Sequence, residues 1–238
     1  MMETRKIIYS DQETVLEATV SLQEGEHKRP IILIFHAWEG KNSFIEEKAK
    51  YLAGLGYIGC ALDLYGKGIL GKTREECGKL MQPLVSDRQA LLKRILAYEG
   101  LLKNIPEADT DQIGAIGFCF GGLCVLDLAR SNAKGVKGVA SFHGVLHAPK
   151  ESSETISSKV LVLHGNNDRM ISSEELLGFK DEMEQKKADW QLHIFGNTVH
   201  SFTNPGANDP AFGTVYNKSA DKRSFRLMED FFKETFQG

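Results

Sequence analysis

The sequence predicts an α/β domain built on a mostly parallel sheet with helices on both faces. Three observations carry this expectation. Short β-branched apolar runs alternate with helix-period segments along nearly the whole chain. The runs are continuous rather than alternating, as in strands covered on both faces. The chain has 238 residues, 42% hydrophobic and 26% charged, a globular composition. A chain of this length buries about 70% of its unfolded surface, enough to fold without a metal or disulfide. No internal repeat, low-complexity tract or linker cuts it, so residues 1–238 read as one domain.

The elements follow in order. Thr4–Ser10 and Thr14–Gln23 read as an antiparallel strand pair at one edge. Ile31–His36 is a short β-rich run, the mark of a buried strand. Phe44–Leu55 carries apolar residues at helical spacing (Phe44, Ile45, Ala49, Leu52) and Gly56 stops it. Tyr57–Leu64 is the next strand, and Ser86–Leu102 reads as one long helix with Leu91, Leu92, Ile95 and Leu96 inward. Then come a strand at Gln112–Gly117, a helix at Phe120–Ser131, and strands at Val136–Phe142 and Lys159–His164. A helix at Ser172–Lys187, a strand at Trp190–Phe195 and a helix at Ala220–Phe236 complete the chain. Gly66–Lys72 and Thr203–Ala220 are the loosest stretches, both following strands, where open α/β sheets bind ligands.

Charge and cysteine usage exclude several classes. With 29 Lys and Arg against 32 Asp and Glu, the net charge is −3, unlike the concentrated positive charge of a nucleic-acid binder. The longest apolar run, around Ile31–Ala37, is far short of the roughly 20 residues that span a bilayer. Met1–Lys6 mixes charges of both signs and lacks an apolar stretch, so no secretory signal is expected. Four cysteines without a C-x-x-C pair argue against a disulfide scaffold, and a reducing, cytoplasmic setting is expected.

The most informative window is Gln112–Leu123, where an apolar strand runs into Gly117-Phe118-Cys119-Phe120-Gly121 and then a helix. This is the G-x-S-x-G nucleophile elbow with sulfur in place of oxygen. Residues two away from the nucleophile must be small so that strand and helix can approach. The turn lifts the thiol toward solvent, and the helix N-terminus favours thiolate over thiol. A bland glycine-rich turn with a filler Cys is the competing reading. A dinucleotide loop fits less well, because Cys119 stands where its second Gly belongs.

The partners of such an elbow follow in the order acid, then histidine, each after a strand. Asp168 lies in the turn after Val160–Leu163, and His200 in the loop after Gln191–Phe195. Asp63 also ends a strand but precedes the nucleophile, which favours Asp168. His143 and His147 stand four apart, but Gly144 breaks the helix that a metal pair would need, so no metal or organic cofactor is expected. Cys124 and Cys60 read as fillers, His164 as packed and Asp127 as structural.

The chain resembles the dienelactone hydrolase family of α/β-hydrolases over most of its length. The matching stretches are His36–Asn42, Leu62–Tyr65, Gly117–Gly122 with its Cys at the elbow, His164-Gly165 with Asp168, and His200-Ser201-Phe202. The resemblance implies an α/β-hydrolase fold, with Cys119 as nucleophile, His200 as base and Asp168 fixing its tautomer. It further implies an oxyanion hole made by the backbone N–H groups of Phe120 and Trp38. His36, Glu39, Tyr65, Phe202 and Asn204 are candidate substrate contacts. Two positions depart from the family's pattern. The residue after His36 is Ala37 where well-known members carry Glu, and Asn204 stands where they carry an Arg for the substrate carboxylate.

The expected activity is hydrolysis of a small carboxylic ester or lactone through a covalent acyl-enzyme. A thioesterase or acyltransferase on the same triad, a non-catalytic small-molecule-binding protein and a peroxide-sensing thiol protein are the alternatives. The expected partner is a small-molecule substrate, with no nucleic acid and no membrane; the oligomeric state is not legible in the sequence.

Overall fold

The computed structural model describes residues 1–25 and 27–237. Its strands are β1 (Met2–Asp11), β2 (Thr14–Gln23), β3 (Arg29–Phe35), β4 (Ile58–Ala61), β5 (Ala108–Phe118), β6 (Val136–Phe142), β7 (Lys159–Gly165) and β8 (Trp190–Phe195). They form one sheet in the order β1-β2-β4-β3-β5-β6-β7-β8 among the described residues. β1–β2 and β2–β4 are antiparallel, whereas β3–β4, β6–β7 and β7–β8 are parallel. The expected mostly parallel α/β architecture is therefore present, with the antiparallel pair at one edge. Contacts gather the chain into two compact units, Met1–Ile116 with Ala133–Val136, and Gly117–Asn132 with the chain from Lys137 onward.

In the first unit, Ile31–Phe35 of β3 and all of β4 are buried, as the continuous apolar runs require. Helix α1 (Ser43–Gly54) lays Ile45, Ala49, Leu52 and Ala53 inward. A Cβ on Gly59 of β4 would stand 2.1 Å from the Ala49 carbonyl oxygen, so only glycine admits this helix so close. β4 is shorter than the Tyr57–Leu64 run suggests because side chains take over its hydrogen bonding. The Leu64 N–H donates to His36 Nε2, and the Tyr65 and Gly66 N–H groups donate to Asp63 Oδ1.

The expected single helix over Ser86–Leu102 is instead α3 (Arg88–Leu96) and α4 (Tyr98–Leu102), and a further helix, α2 (Arg74–Ser86), precedes them. Caps decide these boundaries. Thr73 and Glu76 form a capping box that opens α2, and Asp87 accepts from the Ala90 N–H to open α3. The Thr-x-x-Glu signal was present in the sequence, but weak apolar periodicity hides α2, which buries only Cys77.

The second unit packs around α5 (Phe120–Arg130), every residue of which is buried. Its last residue, Arg130, donates to both Glu182 oxygens of α6 (Ser173–Gln185), to Asp127 and to the Leu146 carbonyl. A buried guanidinium is tolerable only when paired this fully. Helix α7 (Lys218–Gln237) buries Ala220, Phe225, Met228, Phe231 and Phe232 on one stripe. Large apolar side chains of this kind contribute roughly 1.5–3 kcal/mol each on burial. The stretch Thr203–Ala220, expected to be loose, contains the short antiparallel pair β9 (Asn208–Asp209) and β10 (Thr214–Val215). Among the described residues no helix is long and apolar enough to cross a membrane.

His36 makes the first unit sensitive to acid. It is fully buried, donating from Nδ1 to the Ala37 carbonyl at 2.6 Å and accepting the Leu64 N–H at Nε2. Burial lowers its pKa to about 4, despite the Ala37 carbonyl and Asp63, with Lys41 adding to the depression. The unfolded chain takes up this proton first, so stability falls as pH drops from 6.5 toward 4, by on the order of 3 kcal/mol. Urea titrations at pH 7 and 4.5 should show a smaller acid-induced loss in His36→Gln than in wild type.

Candidate active site

Cys119 sits between β5 and α5 with φ 54° and ψ −113°, a conformation that non-glycine residues avoid. Two close approaches impose it. A Cβ on Gly117 would lie 1.9 Å from the Gly121 carbonyl oxygen, and one on Gly122 would lie 2.6 Å from Gly144 Cα. The Cys119 N–H donates to the Phe142 carbonyl of β6 at 3.0 Å, which anchors the turn to the neighbouring strand end. Of the four cysteines, Cys60, Cys77 and Cys124 are buried, while Cys119 is partly exposed. Burial pushes the Cys60 thiol up to about 12, consistent with an inert filler.

His200 lies in the loop after β8, pinned on both sides by backbone. Its N–H donates to the Gly213 carbonyl and its carbonyl accepts from the Val215 N–H, so β10 pairs alongside it. Asp168 lies in the turn after β7, where its N–H donates to the Gly165 carbonyl and Oδ1 accepts the Met170 N–H at 2.9 Å. Its other oxygen, Oδ2, accepts His200 Nδ1–H at 2.7 Å. The two turns are also joined through the Asn167 N–H, which donates to the Thr198 carbonyl.

With Nδ1 committed to Asp168, His200 Nε2 is buried without a hydrogen bond of ordinary geometry among the described residues. Cys119 is nonetheless close enough to act electrostatically on the ring. Burial lowers the His200 pKa, but the Cys119 charge and the hydrogen bond to Asp168 outweigh it and raise the value to about 10. The contact with Cys119 is short-range electrostatics rather than an aligned hydrogen bond. The ring is thus held toward its protonated form between Asp168 and Cys119.

His143 completes this surrounding. It is 2% exposed, sits at φ 41°, and shares a 2.9 Å hydrogen bond between Nε2 and Thr203 Oγ1. Its ring meets His200 edge-on at 4.9 Å between centroids. Burial, then the charge of His200, holds its pKa well below 6.5. His147, its partner in the sequence spacing, is exposed, so the two imidazoles do not share a face.

The remaining candidates fall elsewhere. His36, Trp38, Glu39 and Tyr65 belong to the first unit, whereas Cys119, Phe120, Asp168, His200, Phe202 and Asn204 belong to the second. His36 was expected at the substrate and is instead structural, because it is fully buried and both ring nitrogens are used. Phe202 is likewise fully buried, packing on His143 and Phe195 rather than lining a pocket. Tyr65 donates its hydroxyl to the Trp38 carbonyl and steadies that loop. Asn204 Oδ1 accepts the Gly206 N–H in its own turn. Asp63 is excluded as the acid, since its oxygens accept backbone amides of Glu17, Tyr65 and Gly66. Thr203 had no signal in the sequence beyond its place after Phe202.

Residues 16–236 match the model of the dienelactone hydrolase family. The chain belongs to the dienelactone hydrolase family. A crystal structure of a dienelactone hydrolase-like promiscuous phosphotriesterase from metagenomic libraries is 33% identical, with a TM-score of 0.93 over 98% of each chain. An uncharacterized Caenorhabditis elegans protein is 37% identical over 64% of this chain and 99% of its own. The carboxymethylenebutenolidase of Pseudomonas sp. (strain P51) is 24% identical over 84% of each chain. Membership makes this chain an ester or lactone hydrolase with a small-molecule substrate.

Two outcomes test the geometry. Gly117→Ala should cost at least about 3 kcal/mol in thermal or chemical melts, because its methyl meets a backbone carbonyl that cannot retreat. Asp168→Asn should bring the His200 titration down from about 10 toward 6.5, followed by imidazole NMR. The stability contributed by this raised pKa is complete below pH 6.5 and vanishes as pH rises through about 10, so the two proteins should converge in alkali.

Proposed function

We propose that Cys119, His200 and Asp168 act as a catalytic triad that cleaves a small carboxylic ester or lactone through a thioacyl-enzyme. The observation that carries this reading is the 2.7 Å bond from His200 to Asp168 in the same unit as the partly exposed Cys119 on its strained turn. The pair rests as thiolate and imidazolium. The thiolate adds to the carbonyl carbon, and the C=O electron pair moves onto oxygen. The backbone N–H of Phe120 receives this oxyanion, and the family resemblance adds the Trp38 N–H; each such donor contributes about 3 kcal/mol.

Collapse breaks the carbon–oxygen bond to the leaving group, which takes the proton from His200. Neutral His200 then removes a proton from water, hydroxide adds to the thioester, and the carbon–sulfur bond breaks. The acid leaves and the thiolate–imidazolium pair is restored. Asp168 holds Nδ1–H throughout, so that Nε2 alone handles the moving proton. With Ala37 following His36, direct exchange between Cys119 and His200 supplies activation. Glu39, Tyr65 and Asn204 are the proposed substrate contacts outside the triad. The family match over residues 16–236 supports reading the chain as one domain. Four free cysteines and a net charge of −3 support a cytoplasmic protein without nucleic-acid or membrane partners.

A phosphotriester is a second substrate class, favoured by the 33% identity over 98% of the chain to a named promiscuous phosphotriesterase. Stopped-flow hydrolysis of p-nitrophenyl acetate, wild type against Cys119→Ala, tests the central reading. Wild type should release a burst of about one equivalent and then turn over, and the variant should do neither. A burst without turnover would shift the assignment to an acyltransferase or thioesterase. Equal inertness of both proteins would favour a binding protein. Parallel runs with an aryl phosphotriester decide the second class.

A further inference from the structure

We propose that His143, held by Thr203, is a positioning residue that fixes the His200 ring for proton transfer with Cys119. The proposal rests on the triad reading above and concerns a side chain that the triad does not use. His143 directly follows β6, and three residues of the His200 loop close on its one ring. His200 meets it edge-on at 4.9 Å, Phe202 at 5.2 Å and 79°, and Thr203 bonds to its Nε2 at 2.9 Å. The loop therefore cannot shift without moving against this ring.

Packing alone does not account for an imidazole here. Its buried Nδ1 meets only its own backbone and makes no hydrogen bond of ordinary geometry among the described residues, a cost that a phenyl ring would not carry. It also sits at φ 41°, directly before Gly144, whose Cβ would lie 2.2 Å from Ser141 Oγ. Strained, incompletely satisfied residues persist where the surroundings hold them for a purpose. The bond to Thr203 is what an imidazole adds over phenyl, and Thr203 ties it back to the chain three residues beyond His200.

The titratable groups that act on His200 are Cys119 and Asp168; His200 and His164 act on His143, and Asp168 and His200 act on His164. Burial keeps both His143 and His164 low, so both stay neutral beside the His200 cation. A neutral ring restrains His200 without opposing its charge. If the restraint is lost, the Asp168 and Cys119 contacts that hold the His200 pKa up loosen, and it falls.

His143→Phe keeps the ring volume and removes the Thr203 bond; Thr203→Val removes the same bond from the other side. Each is compared with wild type by kcat and KM against pH on p-nitrophenyl acetate, and by imidazole NMR of His200, assigned by its absence in His200→Gln. Both variants should stay folded, and Thr203→Val should melt below wild type because it leaves the buried His143 Nε2 without its partner. His143→Phe should lose about tenfold in kcat with KM unchanged. Thr203→Val should lose less, and the double variant no more than His143→Phe alone. The alkaline limb and the His200 titration should both move down by about one unit. A His200 titration at the wild-type value in folded variants overturns the proposal, as does a profile that is merely scaled. If His143→Phe does not fold, Thr203→Val decides. The His200 titration is read without turnover, so it stands apart from the triad reading, which fails if Cys119→Ala hydrolyses as wild type does or if both proteins are inert.

Discussion

The approach of β5 to α5 at Gly117 and Gly121 is the constraint on which the site depends. Without a side chain at Gly117, strand and helix come together closely enough to force Cys119 into positive φ, at about 1–3 kcal/mol of strain. That conformation separates Cys119 from the buried cysteines of the chain. The strain is sustained because α5 is buried along its whole length and locked at its far end by Arg130. A helix free to recede would relax the turn and let the thiol sink.

A second demand is that His200 be immobile in a loop. Backbone pairing supplies most of this, through Gly213 and Val215 on either side of it. Asp168 then sets the tautomer, and its own second oxygen is fixed by the Met170 N–H. Residues 208–215, which lack apolar periodicity, are therefore as much a part of the site as the strands. Their ordering comes from hydrogen bonds that no hydrophobic pattern reports.

The histidines of this chain show how one side chain takes opposite roles. His36 and His143 are pushed down by burial and serve as neutral hydrogen-bonding rings. His200 is as deeply buried, but the charges of Cys119 and Asp168 reverse the sign. Burial alone does not set an imidazole's charge; the partners on its two nitrogens do. His36 has two backbone partners, whereas His200 has a carboxylate on one side and Cys119 near the other.

Much of this was legible in the sequence. Continuous apolar runs such as Ile31–Phe35 and Val160–Leu163 marked buried strands, because a strand covered on both faces has no polar side to display. The Gly-x-Cys-x-Gly spacing marked the elbow, since only small residues let strand and helix meet there. Asp168 and His200 followed from their order and their places after strands. The helix boundaries around Asp87 were set by caps, a local polar signal that periodicity does not weigh. Burial of His36 and Phe202, and the clasp of His143 by Thr203, belong to tertiary structure alone. Those side chains come from segments far apart in the chain, and what each does depends on which neighbours arrive, a matter of packing that no single stretch of sequence contains.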